Sequence, residues 1–134
     1  MKIFYCQQCQ NQVFFNNIYC EKCQAALGYI VEKKIMGTFK PVNDQLWQHV
    51  DPKDSKPDYK PCYNYVHHQV CNWMIPVDDP NMYCPSCQLT HKIPDLSIPE
   101  NKQYWGALEQ AKRRFLYLTQ QMNILPRPKT DDHD

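Results

Sequence analysis

Residues 5–24 read YCQQCQNQVFFNNIYCEKCQ. The phrase Tyr-Cys-x-x-Cys-Gln stands at both ends of this stretch, and a third copy, YCPSCQ, occupies residues 83–88. A C-x-x-C segment bends into a tight knuckle that aims two thiolates at one point. Two knuckles joined by a short hairpin present four sulfurs at about 2.3 Å from one metal ion. Between Cys6/Cys9 and Cys20/Cys23, Val13-Phe14-Phe15 suits a short strand and Asn16-Asn17 suits a turn. Spacing and turn chemistry therefore agree on a first metal site.

A lone third knuckle cannot satisfy an ion. The only other thiols are Cys62 and Cys71, separated by eight residues and followed after twelve more by Cys84 and Cys87. A second four-sulfur site then uses all eight cysteines with none left over. His67 and His68 lie between Cys62 and Cys71, and either could replace one sulfur in a Cys3His site. Gln10, Gln24 and Gln88 follow the second cysteine of each knuckle, where glycine would be expected to meet a positive φ. Metal binding worth on the order of 10 kcal/mol absorbs such strain.

Leu, Ile, Val and Phe make up only about a fifth of the 134 residues, near the level at which burial alone struggles to fold a chain. A thin core in a short chain calls for staples, and the cysteines are the candidates. The start, MKIFYC, reaches its first cysteine too early for a signal peptide, so a cytoplasmic location is expected. In that reducing setting, metal is favoured over disulfides. Zinc is the expected ion, two per chain and structural, because a closed four-thiolate shell leaves no position for water. Iron is the possible substitute, since four thiolates bind either metal and YCPSC resembles a rubredoxin knuckle. The formal net charge of +1 gives no field to gather nucleic acid or anionic lipid, and no apolar run is long enough to span a membrane.

The fold class implied is a small, metal-stabilised α+β chain: two zinc-ribbon β units with rubredoxin-like knuckles, then one long α-helix. Residues 1–28 form the first ribbon. Residues 29–97 hold strands at KKIMGTF and QLWQHV around the turn-like Pro41-Val42-Asn43-Asp44. An exposed proline-rich loop at 51–61 follows, then the second metal site with a strand at CNWMIP. Ser97 and Glu100 read as a capping box for a helix over 98–122, about 35 Å long, with Pro99 in its first turn. Tyr104, Leu108, Ala111, Phe115, Leu118 and Met122 fall on one stripe, flanked by Trp105 and Leu116. Glu109 and Arg113 are expected to pair on the wetter side. Part of the apolar face covers the ribbons. The rest, with Tyr104, Trp105, Leu108, Phe115, Leu116 and Leu118 as its candidate residues, needs another partner. Residues 123–134 form a flexible tail.

No H-E-x-x-H motif and no glycine-rich phosphate loop occurs. Asp78-Asp79 and Asp131-Asp132 read as solvated carboxylates, and His49 and His91 as surface or satisfied polar residues. Metal ligation leaves no thiolate for nucleophilic work. Lys112-Arg113-Arg114 is a compact basic patch, and nucleic-acid contact there is disfavoured by the neutral balance of charge.

NQVFFNN between two knuckles, then ALGY, CNWMIPVDD and YCPSCQLTHKIPDLSIPENKQYWGALEQAKRRFLY together resemble bacterial zinc-binding metallopeptidases with an N-terminal zinc ribbon, over residues 1–125. The resemblance implies metal-ligand roles for Cys6, Cys9, Cys20, Cys23, Cys62, Cys71, Cys84 and Cys87. It also implies a larger downstream domain carrying H-E-x-x-H. That motif does not precede Asp134, so no peptidase centre is expected in this chain. The leading expectation is a non-catalytic two-zinc module whose helix docks onto a downstream catalytic domain or another protein. The rivals are a nucleic-acid-binding zinc ribbon and a rubredoxin-like electron carrier.

Overall fold

A computed structural model describes residues 2–127. Of the expected tail, residues 128–134 lie outside the described residues, as does the pair Asp131-Asp132.

The first knuckles sit at the base of a two-stranded hairpin, β1 (Phe4–Tyr5) against β2 (Gln12–Val13). Phe4 and Val13 turn inward while Tyr5 and Gln12 face solvent, the two-residue alternation of a half-covered strand. The next five strands are β3 (Ala26–Ile30), β4 (Ile35–Asn43), β5 (Leu46–His49), β6 (Asp58–Pro61) and β7 (Trp73–Pro76). They form a closed barrel. Neighbours run antiparallel from β3 to β7, and a parallel pairing of Tyr29 with Trp73 and Ile30 with Met74 shuts the ring. Closure leaves no strand of the ring with an unpaired edge.

The barrel corrects the expectation of two ribbon units. Only the first sulfur set belongs to a ribbon hairpin. The second is built at a corner of the barrel, where β6 ends and β7 begins. The expected loop at 51–61 is also corrected in part: Asp58–Pro61 form β6, and Asp54 and Tyr59 are buried. The turn expected at 41–44 moves to Asp44-Gln45, with Pro41 and Asn43 still in β4 at a register shift. β3 runs across residue 28, so ribbon and barrel share that strand. Gly28 and Gly37 stand opposite each other in the β3–β4 pair. A Cβ on Gly28 would collide with the Met74 side chain, and one on Gly37 would sit 2.8 Å from Ile30 Cδ1.

Aromatic rings fill the seam between ribbon, barrel and helix. Phe15 packs at ring-centroid distances of 5.0 Å from Tyr29, 5.1 Å from Tyr117 and 6.4 Å from Trp73. A second cluster inside the barrel brings Phe39 against Trp47, His49 and Tyr59. Tyrosine thus supplies core volume that the few aliphatic residues do not.

A one-turn helix, α1 (Tyr63–Val66), starts directly after Cys62. The long helix α2 spans Pro99–Gln121 with proline in its first turn. The expected capping box does not form: the Ser97 hydroxyl donates to Asp95 Oδ1, and Ile98 holds the cap position. Trp105, Glu109, Arg113, Leu116 and Tyr117 are buried: the first three meet His68, Thr90 and Val70 beside the second sulfur set, and Tyr117 meets Phe15 and Tyr29. Gln120 fixes the far end, accepting from the Tyr29 hydroxyl at 2.9 Å and donating to the Val31 carbonyl at 2.7 Å. The expected Glu109–Arg113 pair on a wet face is overturned. Both are buried; Arg113 donates to the Val70 carbonyl at 2.7 Å, and Glu109 pairs with Lys112 at 2.8 Å.

Candidate metal centres

The eight cysteines converge as two sets of four, Cys6/Cys9/Cys20/Cys23 and Cys62/Cys71/Cys84/Cys87, each with its sulfurs within 4.8 Å of one another. Four sulfurs held at ~2.3 Å from one ion stand about 3.8 Å apart along each edge of the tetrahedron. The observed edges include Cys6–Cys23 at 3.6 Å, Cys9–Cys20 at 3.5 Å and Cys71–Cys84 at 3.6 Å. A disulfide needs ~2.05 Å, and none is present among the described residues. Distance and donor chemistry both fit a tetrahedral thiophilic ion.

At the first site each knuckle turns its backbone N–H groups onto its own sulfur. The Gln8 amide donates to Cys6 Sγ at 3.4 Å. The chain leaves the knuckles at Gln10 and Gln24 with φ of 68° and 67°, the left-handed region in which glycine rests more easily. Gln88, after the third knuckle, continues instead into a 3-10 turn over Cys87–Leu89. The knuckles are therefore of two kinds.

The second site is the more enclosed, with all four cysteines buried. Cys62 closes β6 and its amide donates to the Trp73 carbonyl, while Cys71 precedes β7 and receives the Trp73 amide at 3.4 Å. The Cys84 amide donates to Cys62 Sγ at 3.4 Å. This geometry explains the loose spacing: the residues between Cys62 and Cys71 form α1 and a return loop, and the barrel wall sets the sulfur positions. Neither His67 nor His68 enters the ligand set. His67 stacks on Tyr63 at 4.1 Å, and His68 lies 5.3 Å from the Trp105 ring.

The thiols are electrostatically unequal. At Cys20 the Cys23 and Lys22 amides outweigh burial and lower the thiol to about 6. Burial opposes the Cys6 thiolate, but the Cys9 and Gln8 amides and the Thr38 hydroxyl prevail and lower it. The Ala25 amide favours the Cys23 thiolate, yet burial and the other three sulfurs push that thiol up to about 12. Burial, with three adjacent sulfurs, holds Cys84 well above the ordinary thiol range. The raised thiols, Cys23 in the first cluster and Cys84 in the second, are the ones whose ionisation a bound dication would have to favour. Binding there expels protons.

Thr38 has no signal in the sequence, because it lies thirty-two residues beyond the Cys6 sulfur that its hydroxyl approaches at 3.7 Å. Gln7 exchanges two bonds with the same residue, its amide donating to Thr38 Oγ1 at 2.9 Å and its Oε1 accepting from the Thr38 amide at 2.8 Å. The strand β4 thereby holds the first knuckle. Of the candidate partner face, Trp105 and Leu116 are buried within the chain, whereas Tyr104, Leu108, Phe115 and Leu118 are exposed. The basic triplet is dispersed: Arg113 is buried, Lys112 is tied to Glu109 and Thr90, and Arg114 alone stands free in solvent among the three.

Residues 3–98 match the family described as the zinc-ribbon domain. Over 99% of its length the chain is 27% identical to uncharacterized proteins of Mycobacterium bovis and Mycobacterium tuberculosis, and it spans 35% of the length of those curated relatives. No solved structure gives a significant match.

Proposed function

The chain belongs to the zinc-ribbon domain family, and from that premise we propose that it is a scaffold whose two structural zinc ions hold a protein-docking helix in place. The zinc-ribbon domain is not itself catalytic. Each cluster offers four cysteine ligands, which would fill a tetrahedral shell and leave no open coordination position. The observation that carries the reading is the second cluster: its four ligands pin the β6–β7 corner, the α1 turn and the segment leading to α2 to one point.

The docking part rests on α2, whose outward face carries Tyr104, Leu108, Phe115, Leu118 and Met122 in solvent. The partner we favour is a further domain of a longer polypeptide, of the metallopeptidase kind that the sequence resemblance implies, or a separate protein. The cytoplasm suits eight reduced cysteines. No helix of the described residues is long and apolar enough to cross a membrane. The dispersal of Lys112-Arg113-Arg114 weighs against a nucleic-acid role.

Elemental analysis of the purified chain tests the scaffold. Two zinc per chain in a colourless protein, with loss of near-ultraviolet circular dichroism when a strong chelator removes them, is the expected result. Fewer than two equivalents, a red redox-active iron protein, or a fold indifferent to chelation overturns it.

A further inference from the structure

The outward stripe of α2 has a stricter order than a generic apolar face. Tyr104, Leu108, Ala111, Phe115, Leu118 and Met122 follow one another at steps of four, three, four, three and four residues. That is an uninterrupted a/d heptad seam. At 3.6 residues per turn its centre lies about 135° from the face formed by Trp105, Glu109, Arg113 and Leu116, which is already buried within the chain. The helix therefore has one covered face, where rings lie beside hydrogen-bonded Glu109 and Arg113, and one apolar face that none of the described residues covers. The five large seam residues are each 52–71% exposed. Side chains of that size offer about 500 Å² together, the upper range for a patch left bare on a monomer.

Charge beside the seam narrows the occupant. Lys112 and Arg114 flank its middle, one on each side; Lys112 is already paired with Glu109 at 2.8 Å, whereas Arg114 joins no ion pair among the described residues. Antiparallel self-pairing would seat Tyr104 on Met122, Leu108 on Leu118 and Ala111 on Phe115. It would also bring the unpaired Arg114 to its own copy. That like charge at the centre of the seam opposes a second copy of this chain and favours an acidic residue beside Arg114.

We propose that the α2 seam seats an amphipathic α-helix of another segment or protein, apolar at its own a and d positions and acidic beside them. This rests on the docking reading above and gives the partner its chemistry. The zinc scaffold does not depend on it: metal analysis judges the scaffold, and the binding experiment below judges the seam.

The probe is a fluorescent three-heptad peptide with Leu at a and d and Glu at e and g, compared with a twin carrying Lys at e and g. Each peptide is held monomeric by its own charge. Titrated with zinc-loaded protein, the Glu peptide is expected to bind in the micromolar range, at least about tenfold more tightly than the Lys twin, and more weakly as salt rises. Phe115→Glu and Leu108→Glu, both on the outer face, should keep two zinc ions and the native circular dichroism while losing the peptide. Arg114→Glu should narrow or reverse the preference between the twins. Equal affinity for both peptides overturns the proposal, as does no binding of either by fully metallated protein. So does light scattering that shows a dimer split by Phe115→Glu, or binding to anionic lipid vesicles that the same substitution abolishes.

Discussion

Nδ1 of His49 lies 2.8 Å from Oδ2 of Asp54, with both side chains buried in the barrel. The Tyr59 hydroxyl donates to the same carboxylate oxygen at 3.0 Å, and Nε2 of His49 reaches Gln7 Oε1 at 2.7 Å. A carboxylate in the barrel is thus two side chains away from the first metal knuckle. Residues between β5 and β6 hold the ribbon in register with β4.

Asp54→Asn is expected to reduce stability by about 1–3 kcal/mol, because a buried acceptor of several donors is weakened while those donors stay in place. Burial raises the Asp54 carboxyl, but His49, the Lys56 amide, the Tyr59 hydroxyl and nearby Lys33 together lower it below its usual range. A depressed folded value means that the stabilisation is complete above the unfolded value of about 3.9 and is lost only as pH falls through the lower folded one. Denaturant unfolding at fixed free zinc should therefore show the same deficit across neutral pH. A deficit that changes between pH 6 and 8 would assign the effect to another group.

Phe15→Ala is expected to cost about 3–5 kcal/mol, since the ring is enclosed by Tyr29, Trp73 and Tyr117. The loss should fall unevenly on the metals. Chelator competition is expected to release one zinc from the variant well before the other, with the ribbon site yielding first. Release of both together would mean that the aromatic seam does not support the ribbon.

Gln10→Gly should stabilise the protein by about 0.5–1 kcal/mol, because it relieves a left-handed backbone in a residue whose side chain makes no hydrogen bond among the described residues. Gln88→Gly should do the opposite. That residue has ordinary backbone geometry, and its Nε2 donates to the Tyr83 carbonyl at 2.9 Å. Thermal unfolding of the pair checks both signs.

Glu109→Ala should cost about 2–4 kcal/mol. Glu109 accepts from the Thr90 hydroxyl at 2.6 Å and from Trp105 Nε1 at 3.1 Å, and it neutralises Lys112. The exposed Arg114→Ala should change stability by no more than about 0.5 kcal/mol. Equal effects in thermal melts would remove Glu109 as the anchor of α2.

Local chemistry was legible in the sequence because it is written in adjacent residues. Knuckle spacing identified the first sulfur quartet and half of the second, the count of remaining thiols supplied Cys62 and Cys71, proline and periodicity located α2, and short strand-like runs marked β4, β5 and β7. The barrel was not legible. Its parallel closure joins Tyr29 to Trp73, and no local pattern encodes a pairing across so many residues. β6 was hidden by three prolines in 51–61, although Tyr59 and Pro61 lie in a strand whose partners tolerate the missing donors. The two faces of α2 were confused because burial does not follow hydrophobicity there. Glu109 and Arg113 go inward on hydrogen bonds, while Leu108 and Phe115 remain outside.

The first sulfur quartet is complete by Cys23, yet the wall that Phe15 leans on includes Tyr117. At a translation speed of roughly 5–20 residues per second, about five to twenty seconds separate those two points on the ribosome. For that interval the nascent hairpin can carry its ion with one greasy flank uncovered. Birth order thus leaves the aromatic flank of the ribbon bare until Tyr117 emerges and α2 can close over Phe15.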